Sequence, residues 1–463
     1  MESETNASLG GKRPQMSRQL ELRLDERGEA PQTWQSEEEQ PATSENGRFG
    51  TGPRMEAVVH PRNIRAALER VRKNKGSPGE DGMTVEELPT YLHAHWETIR
   101  MQLLAGHYQP RAVLRRQIPK SGGGLRDLGI PCAIDRVIQQ AILQVLQPHI
   151  DPTFSRHSYG FRPGRSAHGA ICAAQRYIQG GRTYVADVDL EKFFDRVNHD
   201  VLMGRMAKRI ADPRLLGLIR RYLEAGVMAH GVVTERHEGT PQGGPLSPLL
   251  ANVLLDEVDQ ELEQRGHAFV RYADDCNVYL HSRRAALRVM QLLERLYGSL
   301  RLRINETKSA VAPVWGRKFL GYCFRKARNG AVQRAVAPKA LALLKEKVRE
   351  KTSRACGRSI QATVTLLAEF LRGWKAYFRL AEQRSVLEET DGWIRRRLRA
   401  IMLKQWKNGP TIYRQLKRRG LSDEEARQAT GNRRSWWKQS RKLVNKAIRN
   451  REFDQLGLPR LAA

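Results

Sequence analysis

Long apolar runs are missing from this 463-residue chain, and so is any pairing of its cysteines. No stretch approaches the ~20 consecutive apolar residues that a membrane-spanning helix needs. The five cysteines (Cys132, Cys172, Cys276, Cys323 and Cys356) are scattered without a Cys-x-x-Cys pair, so neither a disulfide framework nor a zinc site is expected. The start, Met1-Glu2-Ser3-Glu4-Thr5, lacks the basic and apolar regions of a signal peptide. No fixed-period repeat is visible. These absences together predict a cytoplasmic protein in reducing surroundings. Acid is scarce too: 80 Lys+Arg stand against 50 Asp+Glu, a formal net charge of +30. A surplus that large implies an anionic partner, and nucleic acid fits better than a membrane.

The charge is uneven. Residues 1–50 hold 6 Lys+Arg against 10 Asp+Glu, with Glu37-Glu38-Glu39 and little apolar periodicity, and residues 1–55 are expected to be a disordered acidic leader. Residues 341–463 hold 30 Lys+Arg against 12 Asp+Glu, more than half the chain's excess, and five of its eight tryptophans. Basic helices interleaved with aromatics can neutralise phosphates and stack on bases. Trp374, Trp393 and Trp406 sit in helical patterns with Leu and Ile and read as core; Trp436-Trp437 lies beside Arg433-Arg434.

Two acidic sites carry the chemistry. Asp274-Asp275 lies between the strand-like runs Ala268-Phe269-Val270 and Val278-Tyr279-Leu280, which predicts a β-hairpin with its acids at the tip. A lone Asp-Asp is more often an ordinary solvated turn. A second site reverses that reading: the β-branched and aromatic run Thr183-Tyr184-Val185-Ala186-Asp187-Val188-Asp189 is followed by Leu190-Glu191-Lys192-Phe193-Phe194-Asp195. An Asp ending a central strand and facing an Asp-Asp tip can build a carboxylate cage for two Mg²⁺ ions about 3.5–4 Å apart. Mg²⁺ is content with one or two carboxylates when a nucleotide supplies the rest.

Other segments organise the chain. Pro61 to Lys73 reads as an amphipathic helix ended by a Gly-Pro-Gly loop, and Gly122-Gly123-Gly124 as a tight turn between strand-like Val113-Leu114 and Leu128-Gly129-Ile130. Ile134 to Ile150 and Leu249 to Glu263 read as helices, and from about Pro338 the pattern is almost wholly helical. The expected class is α+β, a sheet backed by helices on one face.

In order and spacing these motifs resemble the reverse transcriptases encoded by bacterial group II introns, which also serve as splicing maturases. The resemblance runs from about Met55 onward. It rests on Asn74-Lys75-Gly76-Ser77-Pro78-Gly79-Glu80-Asp81-Gly82, on Ile118-Pro119-Lys120 through Leu128-Gly129-Ile130-Pro131, and on Ser158-Tyr159-Gly160-Phe161-Arg162-Pro163-Gly164-Arg165-Ser166. The Asp189 segment, Gly239-Thr240-Pro241-Gln242-Gly243-Gly244-Pro245, Tyr272-Ala273-Asp274-Asp275, Asn305-Glu306-Thr307-Lys308 and Phe319-Leu320-Gly321-Tyr322 follow. It implies a right-hand polymerase: fingers and a ferredoxin-like palm over residues 56–330, a helical thumb and maturase domain over 331–410, and a basic DNA-binding tail over 411–463. The implied activity is RNA-directed DNA synthesis from deoxynucleoside triphosphates with two Mg²⁺, on an RNA template and a DNA primer. Group II intron RNA would be the splicing partner, and a homodimer is an open alternative to a monomer.

The resemblance also implies roles. Asp189 and Asp274 would be the primary metal ligands, with Asp275 in support and the Leu190 carbonyl completing one sphere. Asp187, two residues earlier on the same strand face, competes for the first role. Phe194 would lie beneath the sugar and exclude a 2′-hydroxyl, Gln242 would line the nucleotide pocket, and Lys120 and Arg126 would hold the triphosphate. Lys308 would give a proton to the leaving pyrophosphate. Arg162, Arg165, Arg395, Arg396, Arg397, Arg433 and Arg434 would contact nucleic acid. Asp127 stands where many relatives carry proline. An endonuclease domain, frequent at the end of such chains, is not expected here, so mobility would use an existing 3′ end. The alternatives are a domesticated reverse transcriptase of repair, phage defence or CRISPR spacer capture, and a non-catalytic splicing factor.

Overall fold

A computed structural model describes residues 52–119, 125–229, 232–234, 238–240, 243–353, 357–431, 437, 440 and 443–462. The expected leader lies outside them up to Thr51. Met55 is not part of a leader: it is fully buried, opens the helix Met55–Val58, and its N–H donates to Asp212 Oδ2 at 2.9 Å.

In chain order the strands are β1 (Val113–Pro119), β2 (Leu125–Ile130), β3 (Tyr184–Val188), β4 (Val227–Ala229), β5 (Val232–Thr234) and β6 (Ala268–Tyr272). After them come β7 (Asp275–Leu280), β8 (Ala310–Pro313), β9 (Lys318–Phe319), β10 (Tyr322–Lys326) and β11 (Val332–Val336). The fingers sheet has the order β2-β1-β4-β5, and β1 and β2 pair antiparallel from Leu114↔Ile130 to Pro119↔Leu125; the glycine turn expected between them lies outside the described residues. Asp127 ties this hairpin together: Arg115 donates to both of its oxygens (3.0 and 2.8 Å) and Gln117 to one (2.9 Å).

The palm sheet has the order β6-β7-β3-β8, every neighbour antiparallel. Period-two alternation divides its side chains. Ala186, Val188, Phe269, Cys276 and Val278 face a core shared with the helices Ser247–Gln264 and Arg283–Ser299. Val185, Val270 and Tyr279 face the other way, into a second core with the helix Ala167–Gln179 and β10–β11. The expectation of helices on one face is therefore corrected: apolar residues occupy both faces of these strands, so both must be covered. By the same alternation Asp187, Asp189 and Asp275 continue the second face, beyond its apolar part.

The helix Pro61–Lys73 has the expected bounds, with Pro at its first position and the His60 ring accepting from Arg62 N–H. The helices expected at 134–150 and 249–263 run Ala133–Ile150 and Ser247–Gln264. From Pro338 the described residues are helical: Pro338–Lys351, Ile360–Tyr377, Arg384–Gln405, Gly409–Arg418, Asp423–Thr430, Leu443–Ala447 and Asn450–Gln455. The positions of the domain limits expected at 330 and 410 are described by the fold. The first lies between the paired strands β10 and β11, and the second inside the helix Gly409–Arg418. Ile412, Val444 and Phe453 share one core with Val364, Leu371 and Leu398, so the helices Gly409–Arg418, Leu443–Ala447 and Asn450–Gln455 pack with the helices before them. Trp374, Trp393 and Trp406 pack against that core, as their helical spacing implied.

Candidate active site

Strands β6 and β7 form the acidic hairpin, closed by the pair Tyr272↔Asp275 with only Ala273 and Asp274 between them. Ala273 has φ +55°, a left-handed conformation that costs a non-glycine residue roughly 1–2 kcal/mol. Such strain persists only where surrounding contacts hold it. Here they come from Arg271. Its guanidinium is fully buried and places all five N–H groups. It donates to Asp259 (2.8 and 2.6 Å), Asn252 Oδ1 (2.9 Å), Ser158 Oγ (2.7 Å) and the Ala273 carbonyl (2.9 Å). Burial pulls the guanidinium's pKa down, yet the Asp259 carboxylate against it holds it above its ordinary value.

The segment around Gly160 completes the frame. Tyr159 N–H donates to the Arg271 carbonyl at 2.9 Å, and Asn252 Nδ2 to the Gly160 carbonyl at 2.9 Å. A Cβ on Gly160 would stand 2.3 Å from the Ala273 nitrogen, so glycine alone permits the turn to rest there. Gly160→Ala is expected to push the turn away, lose about 1–3 kcal/mol of stability as overpacked sites do, and slow catalysis. Thermal unfolding and an activity assay check both effects; unchanged values in both would refute the contact's importance. Sequence reading missed Arg271, Asp259 and Asn252. The signal was present: a lone charge ends the apolar run Ala268-Phe269-Val270, and a charge facing a core needs a partner.

Asp189 follows the last β3–β7 pair, Val188↔Cys276, and so stands level with Asp275. The sheet thereby brings Asp189, Asp274 and Asp275 to one end. Asp189 is fixed by its backbone: its N–H donates to Ser309 Oγ (3.0 Å), and its carbonyl accepts from Asn305 N–H (2.9 Å). Lys308 Nζ lies 3.2 Å from Asp189 Oδ1. Asp187 is differently placed. Arg317 forms an ion pair with it, and burial pushes its carboxyl above the ordinary range despite that partner. Both acids have a cationic partner, but the Asp189 pair is the more exposed and stands level with Asp275, which makes Asp189 the better ligand of the two.

Leu190 bridges to Ile304 and is buried. Phe193 is core, whereas the half-buried Phe194 meets it edge-on with ring centroids 5.1 Å apart. The Phe194 carbonyl accepts from Thr240 N–H at 2.7 Å, which seats the start of the Pro-Gln-Gly-Gly loop on it. Gly243 and Gly244 make the close approaches that loop needs: a Cβ would lie 2.7 Å from the Gly129 carbonyl and 2.5 Å from Gln139 Oε1. Gln242 and Lys120 lie outside the described residues. Arg126 is in β2, and its side chain is likewise outside the description.

Two protein-family models match the chain: reverse transcriptase (RNA-dependent DNA polymerase) over residues 118–324 and the maturase-specific domain of group II introns over 341–420. Protein YkfC of Escherichia coli K12 is 34% identical over 317 residues, 59% of this chain and 83% of that protein. The chain belongs to the group II intron-encoded reverse transcriptases and maturases. The intron-encoded protein LtrA of Lactococcus lactis is 34% identical over 215 residues, which are 46% of this chain and 36% of LtrA. A putative COX1/OXI3 intron 1 protein of Saccharomyces cerevisiae is 29% identical over 205 residues, 44% of this chain and 24% of that one. This group II reverse transcriptase is thus an RNA-directed DNA polymerase with a maturase-specific domain, and its domains imply nucleic-acid partners such as intron RNA.

Reverse transcriptases use divalent metal ions. Among the described residues no three His, Cys, Asp or Glu side chains by themselves form a metal site. The oxygens of Asp189, Asp274 and Asp275 nonetheless suit a hard cation that takes further ligands from a nucleotide. The Lys308 ammonium already stands as the positive group at Asp189.

Two of the arginines expected to bind nucleic acid have other work in this reverse transcriptase. Arg162 is buried, and its five N–H groups go to both Asp151 carboxylate oxygens and to the carbonyls of Asp151, Ser155 and Ser158. Arg395 is buried between Asp391 (3.0 Å) and Asp454 (2.7 Å). Both corrections have one cause: a guanidinium in a core needs carboxylate or carbonyl partners, and these chains supply them. Arg396 stacks on Trp437, 3.8 Å from its ring centroid, and Arg397 donates to Thr352 Oγ1 at 2.7 Å; both remain partly exposed. Arg165 is exposed, while Arg433 and Arg434 lie outside the described residues.

Proposed function

We propose that this reverse transcriptase extends a DNA 3′ end on an RNA template with deoxynucleoside triphosphates and two Mg²⁺, working in the cytoplasm on group II intron RNA. The observation that carries the reading is the alignment of Asp189 with Asp275 at the sheet end, with Asp187 withdrawn by Arg317. Asp189, Asp274 and the Leu190 carbonyl would hold the ions, with Asp275 in support. Bound there, the pair of ions would supply a clamp on the attacking and leaving oxygens of an in-line displacement.

The remaining roles belong to the chain. Lys120 and Arg126 neutralise the triphosphate, and Gln242 shapes the pocket against it. Lys308, whose ammonium meets Asp189, gives a proton to the departing pyrophosphate in this reading. The basic helices after Pro338 clamp folded intron RNA, whose own active site performs the cleavage. Primer extension on an RNA template tests the reading. Full-length cDNA is expected with Mg²⁺, none with EDTA, and recovery when Mg²⁺ is restored; cDNA that persists through chelation would overturn it.

Phe194 would select deoxynucleotides by standing where a 2′-hydroxyl would go. Phe194→Ala leaves its backbone bond to Thr240 intact and is expected to raise ribonucleotide incorporation at least roughly ten-fold, the lower end of hydrophobic-pocket discrimination. Single-nucleotide extension with ribo- and deoxynucleotides checks this. An unchanged ratio removes the gate from Phe194.

A further inference from the structure

A surface cleft of about 620 Å³ lies beside β6, away from the acidic turn. It reaches from Tyr159, bonded to the backbone of Arg271, to Gly266 and Ala268 at the far end of the strand. Ala268 and Tyr272 are four residues apart, so the cleft leads about 13 Å away from the hairpin turn. Four arginines line it: Arg156, Arg165, Arg176 and Arg182. One acid, Glu263, stands among them, 3.3 Å from Arg156 and 4.0 Å from His157. It neutralises one arginine and leaves a surplus of three.

The arrangement of the other three distinguishes classes of anion. Arg165 lies just before the helix Ala167–Gln179 and Arg176 near its end, so about 15 Å separates them along the helix. A small anion needs donors converging on one point. Charges spread over that length match several successive phosphates of one nucleic-acid strand and not a single small anion. Aromatic faces are interleaved: Arg165 lies over Tyr159 (5.6 Å to the centroid) and Arg182 over Tyr177 (6.0 Å). Guanidinium and ring faces of this kind accept unstacked bases. Tyr177 is held in place by its hydroxyl, 2.9 Å from His157 Nδ1.

We propose that this cleft binds single-stranded RNA, with its phosphates on Arg165, Arg176 and Arg182 and its bases against Tyr159 and Tyr177. The choice of RNA as occupant rests on the reverse transcriptase reading, whereas the cleft's affinity for it is measured without polymerisation. The probe is a fluorescent 20-nucleotide RNA of mixed sequence, titrated with full-length protein over a salt series. The R176Q/R182Q protein is expected to bind about ten-fold more weakly. Its log affinity against log salt should flatten by roughly 1.4, two contacts at about 0.7 each. The R283Q/R284Q protein removes the same charge from exposed residues outside the cleft and is expected to bind nearly as wild type.

Equal losses in both pairs, or no loss in the first, overturn the proposal. So does a loss seen only with a 20-base-pair DNA duplex. R176K/R182K is expected to retain most of the affinity, because a phosphate accepts either cation; a loss as large as the glutamine pair's would indicate packing instead. Primer extension is run in parallel on a saturating pre-annealed substrate. Wild type that binds the RNA yet makes no cDNA would refute the polymerase reading and leave the cleft assignment standing.

Discussion

Asp274→Ala protein is expected to make no detectable cDNA while binding RNA as wild type does. Asp274 occupies the two-residue turn between β6 and β7, at the sheet end where Asp189 and Asp275 also stand. Metal-mediated charge stabilisation is worth several kcal/mol, and each 1.36 kcal/mol is ten-fold in rate, so the loss should reach about 10³-fold or more. The turn's backbone is held by Arg271 through the Ala273 carbonyl, which the substitution leaves in place. Splicing assistance should therefore survive. Primer extension, RNA binding and a splicing assay on one preparation read all three. Residual cDNA synthesis within ten-fold of wild type would remove Asp274 from the metal site, and a parallel loss of RNA binding would show that the change unfolds the protein.

Asp259→Ala should have the second largest effect, and on a different quantity. It strands the Arg271 guanidinium, 0% exposed, without its carboxylate. Removing one partner of a buried ion pair costs about 3–5 kcal/mol, chiefly through the charge left behind. Replacing both partners, as Asp259→Leu with Arg271→Met, should recover most of that loss, since apolar groups of similar volume are often neutral in such places. Catalysis should not recover. The Ala273 carbonyl and Ser158 Oγ still lack their donor, and a displacement of about 1 Å at a catalytic group can cost about 10²-fold. Denaturant unfolding beside primer extension separates the two effects. A double variant that is stable and fully active would show that Arg271 serves folding alone.

What the sequence disclosed, and what it withheld, follows from the range of the forces involved. The helix Pro61–Lys73 and the acidic hairpin were legible because capping and turn chemistry act within a few residues. The burial of Arg162 and Arg395 was not legible. A guanidinium reads the same in a solvated stripe and in a core: Asp391, four residues before Arg395, fits either, and the more distant partners Asp151 and Asp454 lie 11 and 59 residues away. The resemblance already favoured Asp189 over Asp187, but the partner that occupies Asp187, Arg317, lies 130 residues away and was not legible. How the structure continues across the expected domain limits was not legible either, because it depends on strand pairing and on a core shared by distant helices. The hairpin of β10 and β11 carries the sheet past residue 330, and the second core gathers helices from both sides of residue 410.

The palm sheet has two owners. Alternate residues of its strands belong to the polymerase core, while Val185, Val270 and Tyr279 belong to the core that the C-terminal helices complete. A lineage that discarded the splicing half of this chain would lay bare the apolar side of β10 and β11, with Tyr322 and Val336, and leave the helix Ala167–Gln179 as the cover of the catalytic sheet. Loss of one talent therefore endangers the other. That bond offers a reason, grounded in burial alone, for an element of this design to pass on its two trades as a single inheritance.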